Sequence, residues 1–140
     1  MNRLIPAVAA CALAAMALAQ DRMPAPAGAE LYFISPQNGA IVHGPVTVRF
    51  GLKGMGVAPA GVKVDNTGHH HLLIDTDMSE LNLDAPLPAT DKILHFGKGQ
   101  TETSLTLPAG KHTLELVFAD YAHMPFNPPL HSQKITITVD

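Results

Sequence analysis

The stretch VTVRFGL, residues 46–52, alternates apolar side chains with polar or small ones at a period of two. Successive side chains of a β-strand point to opposite sides, so this alternation is typical of a strand that buries one face. Similar alternation or short apolar runs mark the other predicted strands, at residues 31–34, 70–74, 93–96, 104–107, 114–119 and 135–139. The sequence therefore predicts about seven short strands.

Turn-forming residues separate the predicted strands. The clearest are PQNG at 36–39, PAG at 59–61 and 108–110, and GKG at 97–99. Glycine and proline at these positions end one strand and reverse the chain before the next. Because no long amphipathic helical pattern is present, two packed sheets are the simplest way to bury one face of each strand. The predicted fold is an all-β, immunoglobulin-like antiparallel β-sandwich of about seven strands, spanning residues 30–140.

The first residues have a different composition. Residues 1–19, MNRLIPAVAACALAAMALA, are almost entirely apolar with a single basic residue, which predicts a secretory signal peptide cleaved near Ala19. No later run approaches the ~18 apolar residues of a membrane-spanning helix. Residues 20–29 are rich in proline and alanine, which predicts a flexible leader. We therefore expect a periplasmic or secreted protein without a membrane span.

The single cysteine bears on the compartment and on the available chemistry. Cys11 follows a short apolar stretch similar to a lipoprotein cleavage box, but the apolar region before it is unusually short, which favours cleavage near Ala19. The chain after Ala19 then has no thiol, which excludes a disulfide, a thiolate ligand and a cysteine nucleophile. An exported chain without disulfides suits the periplasm.

Charge and histidine content narrow the class of partner. Removal of residues 1–19 takes away one arginine and moves the formal charge from −3 to −4, and no basic patch is left that would suit a nucleic acid. All eight histidines remain in the shortened chain. Such an excess of histidine is typical of metal-binding segments.

The motif GHHHLLID, residues 68–75, carries three consecutive histidines on a predicted strand. His69 and His71 point to one face and His70 to the other, because side chains alternate along a strand. We expect His70 on the apolar face that looks into the core, and His69 and His71 on a more open face. Two imidazoles spaced in this way can hold one metal ion together with a third ligand.

Further imidazoles are available to complete such a site. His95 lies in a predicted strand, and His123 and His131 lie in the long connection of residues 120–132. Imidazole ligands without thiolates favour copper or zinc, and the thioether of Met124 suits Cu(I). The predicted metal ligands are His69, His71, His95, His123 and His131.

Structural roles compete with the metal hypothesis. Three adjacent histidines can also form the polar start of a strand, with His70 hydrogen-bonded inside the protein. His112 shares the parity of Leu114 and is expected to fill a corner position of the sandwich. His43 is expected to be structural or solvated rather than a ligand.

Four segments resemble a family of small secreted bacterial proteins of unassigned function. The segments are GLKGMGVAPAG (51–61), NTGHHHLLID (66–75), LHFGKGQTET (94–103) and LPAGKHTLELVFAD (107–120). The resemblance extends over most of the chain after the predicted signal. It implies an exported, single-domain β protein and carries no established activity.

The function predicted from these patterns is binding of copper or zinc, for sequestration or delivery in the periplasm. No nucleophile stands in a recognisable catalytic motif, which favours binding over catalysis. One alternative is a non-catalytic envelope module that recognises a glycan or a protein through the histidine strand and the turn at residues 97–103. Another is a small metalloenzyme with Glu102 or Asp120 as general base. Asp75 or Asp120 is also suited to orient a metal-bound ring.

Overall fold

Residues 21–140, the part of the chain that the computed structural model describes, contain nine strands and one short 3₁₀ helix. The strands are β1 (Glu30–Ser35), β2 (Ile41–Val42), β3 (Val46–Lys53), β4 (Gly56–Val57), β5 (Thr67–Ile74), β6 (Ile93–His95), β7 (Glu102–Leu105), β8 (Gly110–Ala119) and β9 (Ile135–Val139); the 3₁₀ helix is Met78–Glu80. Seven strands overlap the seven predicted ones, and the additional β2 and β4 have two residues each. The all-β prediction is confirmed. The predicted signal peptide, residues 1–19, lies outside the described residues.

The strands form two sheets packed on a common core. In the smaller sheet, β1, β3 and β7 are adjacent in that order and antiparallel. The larger sheet has the order β2-β9-β8-β5, and β4 and β6 both pair with the remaining edge of β5. The long strands pair antiparallel, whereas the two-residue strands β2 and β4 pair parallel with β9 and β5. The molecule is therefore a β-sandwich whose larger sheet is mixed, because short edge segments pair in the direction in which they happen to run.

The main hydrophobic core lies between the two sheets. In β3, Val46, Val48 and Phe50 are buried while Thr47 and Arg49 are exposed, which is the alternation expected from the sequence. Each fully buried aliphatic or aromatic side chain of this kind stabilises the fold by roughly 1.5–3 kcal/mol. The larger sheet contributes Leu72, Ile74, Leu114, Leu116, Phe118, Ile135 and Ile137 to the same core.

The outer face of the larger sheet is covered as well. A second hydrophobic cluster on this face consists of Leu73, Leu87, Ile93, Val117 and Ala119. Leu87 belongs to the connection between β5 and β6, and its backbone N–H donates to the carbonyl oxygen of His123 at 2.9 Å. The two long connections of the chain are thus joined over this face. Consequently the expectation of an open face was wrong: His69 and His71 are fully buried, with 0% exposure.

Residues 21–29 lie against the sandwich. The Arg22 guanidinium donates to the carbonyl oxygens of Pro125, at 3.2 Å, and Phe126. The carbonyl oxygen of Met23 accepts the N–H of Asn127 at 2.9 Å. These contacts attach the segment to the connection between β8 and β9. The proline- and alanine-rich composition, which predicts a flexible leader, does not indicate them, because a few specific contacts leave no periodic pattern in the sequence.

His112 joins the end of β5 to β8 and to the turn before it. Its Nδ1–H donates to the Asp75 carboxylate at 2.7 Å, and its Nε2–H donates to the carbonyl oxygen of Pro108 at 2.7 Å. Asp75 also accepts the backbone N–H of Thr113 at 2.9 Å. The hydrogen bond to Asp75 raises the pKa of His112 above 6.5. Burial acts to raise the pKa of Asp75, but the hydrogen bonds from His112 and Thr113 outweigh it and lower that pKa.

The ion pair formed by His112 gives a prediction on stability and pH. Because the folded-state pKa of His112 is raised, its contribution is fully present below pH 6.5 and is lost as the pH rises through the folded pKa. The unmodified protein should lose more free energy of unfolding between pH 6.5 and about pH 8.5 than the His112→Gln variant, which has no titrating group at position 112. Urea unfolding at both pH values measures this, and equal losses in the two proteins would contradict it.

His70 occupies the main core without a polar partner. Its ring centroid lies 5.0 Å from that of Phe50 and 5.0 Å from that of Phe118. Neither of its ring nitrogens has a hydrogen-bond partner among residues 21–140. Burial lowers the pKa of His70 to about 4, so the ring is neutral at pH 7. The core therefore holds an imidazole at a position where an apolar ring would be buried with a smaller loss of free energy.

Replacing His70 by Phe should raise the free energy of unfolding by about 1 kcal/mol at pH 7, because it removes a buried polar group without a partner. The depressed pKa of His70 also makes stability fall as the pH drops from 6.5 towards 4, since the unfolded chain binds a proton that the folded one excludes. The variant should therefore show a smaller loss of stability between pH 7 and about pH 4.5. Denaturant unfolding of both proteins at the two pH values tests both statements. A His70→Phe variant that is less stable at pH 7 and loses as much stability at about pH 4.5 as the unmodified protein would refute them.

Candidate metal centre

The pairing of β5 with β6 brings two histidines together. His71 and His95 stand opposite each other in this antiparallel pair. The N–H of Phe96 donates to the carbonyl oxygen of His70 at 3.0 Å, so the hydrogen bond between the two strands joins the adjacent pair, His70 and Phe96. His71 and His95 therefore form a non-hydrogen-bonded pair, the type with the shorter separation between Cα atoms. His69 lies on the same face of β5, two residues before His71.

A tight turn after β8 supplies the next imidazole. His123 has a φ of 66°, in the left-handed region that histidine tolerates better than most residues. The Asp120 carboxylate accepts the backbone N–H groups of Ala122, at 2.8 Å, and Met124, at 2.9 Å, which holds the turn closed. The bond from Leu87 N–H to the His123 carbonyl fixes it from the other side. The turn is thus held in place against the outer face of β5.

Three imidazole nitrogens converge at this point. One ligand atom from each of His69, His95 and His123 lies within 4.8 Å of the other two. The Nε2 atoms of His69 and His95 are 3.2 Å apart. Two nitrogens bound to one tetrahedral ion at about 2.0–2.1 Å are separated by about 3.3–3.4 Å, so this distance matches one edge of such a site. The His95 and His123 rings are stacked, with centroids 4.7 Å apart.

His71 forms the inner wall of the same cluster. Its ring centroid lies 4.9 Å from that of His69, 5.1 Å from that of His95 and 6.2 Å from that of His123. Neither ring nitrogen of His71 has a hydrogen-bond partner within residues 21–140. Its nitrogens do not belong to the group of three that converges. We refer to His69, His71, His95 and His123 as the histidine cluster.

Three imidazoles of the cluster are held in the form that binds metals. Burial, together with the neighbouring His95 and His123, lowers the pKa of His69 to about 4. Burial and the other cluster histidines lower the pKa of His71 to about 2. Burial and His123 also lower the pKa of His95. These three rings are therefore neutral at pH 7 and keep a nitrogen lone pair.

His131 lies apart from the cluster. His131 forms an isolated antiparallel β-bridge with Val117, which lies opposite His71 on the next strand. The backbones of His131 and His71 are therefore two strand spacings, about 10 Å, apart. The Nδ1–H of His131 donates to Glu115 Oε1 at 2.9 Å and to the carbonyl oxygen of Ser132 at 3.0 Å. Of the five ligands predicted from the sequence, the structure brings four into one cluster and places His131 beside a buried carboxylate.

The carboxylates singled out in the sequence have other partners. Asp75 contacts His112, and Asp120 orients the turn that carries His123 through backbone N–H groups rather than through a ring. Glu102 lies in the smaller sheet and pairs with Arg49 at 3.5 Å. The hypotheses that Asp75 or Asp120 bonds a cluster ring and that Glu102 stands beside the cluster are therefore replaced by these contacts.

Comparison with known proteins identifies the family. Residues 48–140 match a family described as a domain of unknown function, DUF4399. The chain belongs to this family. The match covers β5, β6 and the turn of His123, which carry the four residues of the histidine cluster. Neither the curated proteins nor the solved structures contain a match to the chain.

Two surface cavities of the domain lie away from the histidine cluster. One of about 510 Å³ lies along β1, and one of about 230 Å³ lies between residues 63–66 and Phe126. None of the four cluster histidines lines either cavity. The cluster is a packed group of rings, with centroid separations of 4.7 to 6.2 Å. Within residues 21–140, no helix is long and apolar enough to cross a membrane.

Gly97 is a site residue that sequence reasoning missed. A Cβ atom at Gly97 would lie 2.3 Å from Cε1 and 2.7 Å from Nε2 of the His95 ring. Only glycine therefore leaves room for the His95 ring where it stands. The sequence marks the GKG turn that begins at Gly97 as a hairpin turn or as part of a recognition turn. Neither interpretation includes the His95 ring, because a requirement for space next to a ring leaves no pattern in one sequence.

Replacing Gly97 by Ala should displace the His95 ring from His69 without unfolding the protein. NMR spectra that correlate the nitrogens and protons of the histidine rings report this displacement directly. Gly56→Ala is the matched control, because its Cβ would lie 3.3 Å from a methyl group of Thr67 at the sheet edge. We expect the ring signals of His69, His95 and His123 to move in Gly97→Ala and to stay in Gly56→Ala; unchanged signals in Gly97→Ala would contradict the steric argument.

Proposed function

We propose that the protein binds one copper or zinc ion through His69, His95 and His123, and that it sequesters or delivers this ion. The observation that carries the proposal is the convergence of three imidazole nitrogens within 4.8 Å of one another. Neutral imidazoles are the commonest protein ligands of both metals. Three such ligands with close separations satisfy the basic requirement of a transition-metal site.

The crowding of histidine rings in the cluster supports an ion over a purely structural role. The contact between the Nε2 atoms of His69 and His95 can serve as one hydrogen bond in the metal-free protein. The Nδ1 atom of His69 and both nitrogens of His71 still have no partner among residues 21–140. Buried polar atoms without partners cost free energy, so packing four imidazoles together is unfavourable unless the group serves a ligand. An ion held by His69, His95 and His123 would use their converging lone pairs, whereas the nitrogens of His71 would stay outside the coordination group.

The ligand chemistry narrows the choice of metal. The three converging ligands are imidazoles, and the sequence after residue 19 has no cysteine. Imidazole donors without thiolates suit Zn²⁺ and Cu²⁺, and the usual affinity order places Cu²⁺ above Zn²⁺. Met124, which is 1% exposed and adjacent to His123 in sequence, adds a thioether to the same turn for Cu(I).

The proposed role and location rest on the sequence. A secretory signal at residues 1–19 would place the protein in the periplasm or outside the cell. A binding role without catalysis agrees with the engagement of Glu102 and Asp120 in other contacts. The rival hypothesis, an envelope module that recognises a glycan or a protein, expects histidine rings that point apart on an exposed strand. The convergence and burial of the rings favour the metal.

Metal titration of the purified protein tests the proposal. Zn(II), Cu(II) and Cu(I) are each titrated against a competing chelator, and we expect one ion per chain for at least one of them. His95→Gln and His123→Gln remove one ligand each from the partly exposed side of the cluster and should weaken binding by at least about tenfold, in the range seen when ligand environments are disturbed.

Two further histidines provide matched controls. His131→Gln and His43→Gln change histidines outside the cluster and should leave the metal affinity unchanged. If the unmodified protein and His95→Gln retain equally little copper and zinc at micromolar concentrations, the proposed function is wrong. Circular dichroism of each variant establishes that the fold is intact before metal is added.

A further inference from the structure

We infer that an ion bound by His69, His95 and His123 has one coordination position that no protein ligand fills, and that a small anion from solvent binds there. The inference rests on the proposed function, because it concerns the ion held by these three residues. It adds a second ligand class to the site, a small anionic donor. Three features of the cluster support it: the number of converging nitrogens, the direction in which the cluster is exposed, and the absence of acidic ligands.

The number of protein ligands is three. A fourth imidazole, His71, is close by, but its ring centroid is 6.2 Å from that of His123 and its nitrogens lie outside the converging group. A tetrahedral ion needs four donors, and a site with three protein ligands completes its shell with an exogenous ligand. His71 packs behind His69 and His95 and closes the inner side of the site.

The open position faces the partly exposed side of the cluster. His69 and His71 are fully buried, whereas His95 and His123 are both partly exposed. An ion at the convergence point is therefore shielded on the β5 side and accessible past the His95 and His123 rings. We therefore expect a ligand from solvent to approach the ion from this side, where β5 does not have to move.

The charge of the site favours an anion at that position. Three neutral imidazoles leave the charge of a divalent ion uncompensated in a largely buried place, and buried charge without a counter-charge is costly. No carboxylate from residues 21–140 joins the group of converging ligands, and residues 1–20 contain no aspartate or glutamate. Glu115 pairs with His131, and Asp120 accepts two backbone N–H groups. The compensating charge must then come from solvent.

Azide is a suitable probe, because it is a small, linear anion that binds an ion through a terminal nitrogen. The protein is first loaded with one equivalent of Cu(II), and azide is added stepwise while the absorption spectrum is recorded. We expect a new charge-transfer band that saturates with azide, while copper stays bound at one equivalent. Pulsed electron paramagnetic resonance of the same sample should count three coordinated imidazoles before and after azide.

His71→Phe distinguishes the inference from its main competitor. If His71 completes the shell, azide produces no band with the unmodified protein, and the imidazole count is four; either result overturns the inference while metal binding stands. If His71 is only a wall, His71→Phe should bind copper and azide as the unmodified protein does. Should this buried substitution prevent folding, the imidazole count of the unmodified protein decides alone. A protein that retains no copper would overturn the proposed function together with this inference.

Discussion

Burial of β5 on both faces is the constraint on which the rest of the structure depends. All residues from Gly68 to Ile74 are buried, although three of them are histidines. The inner face packs against β3 across the sandwich, so His70 must lie among phenylalanine rings. The outer face can be removed from water only if other segments cover it, because β5 has no second sheet on that side. The two long connections of the chain provide this cover.

The chemistry of the histidine cluster follows from that cover. Desolvation disfavours the charged form of each ring, which is why the pKa values of His69 and His71 are low and both rings are neutral at pH 7. Among the four imidazoles packed against one another, Nδ1 of His69 and both nitrogens of His71 have no hydrogen-bond partner within the described residues. The bond between Leu87 and His123 joins the two connections at the site itself. The segments that bury β5 therefore also complete the candidate metal centre.

Local patterns in the sequence were enough to locate the strands and to sort the histidines of β5 by face. A period of two depends only on neighbours along the chain, so β3, β8 and β9 were recognisable, and His70 was separated from His69 and His71. The strands β2 and β4 were missed, because two-residue pairings depend on which distant segment passes nearby. The exposure of the outer face was misjudged for the same reason, since its cover comes from residues far away in sequence.

The individual ligands show where prediction from sequence stops. His95 reaches the cluster because β6 pairs with β5 in a register that places it opposite His71, and His123 reaches it because the Asp120 carboxylate holds a left-handed turn. His131, in the same connection as His123, is carried to the far side of β8 instead and contacts Glu115. Gly97 matters only because the His95 ring lies where a Cβ atom would be.

The sequence by itself thus determined the all-β class, most of the strands, and the shared face of His69 and His71, because these follow from side-chain alternation along one segment. Only the tertiary structure decided which other histidines join them, that the β5 side of the site is buried, and that the rings of His69, His71 and His95 are neutral. Those properties depend on strand register, on the path of two long connections and on desolvation, all of which are set by contacts between residues distant in the chain.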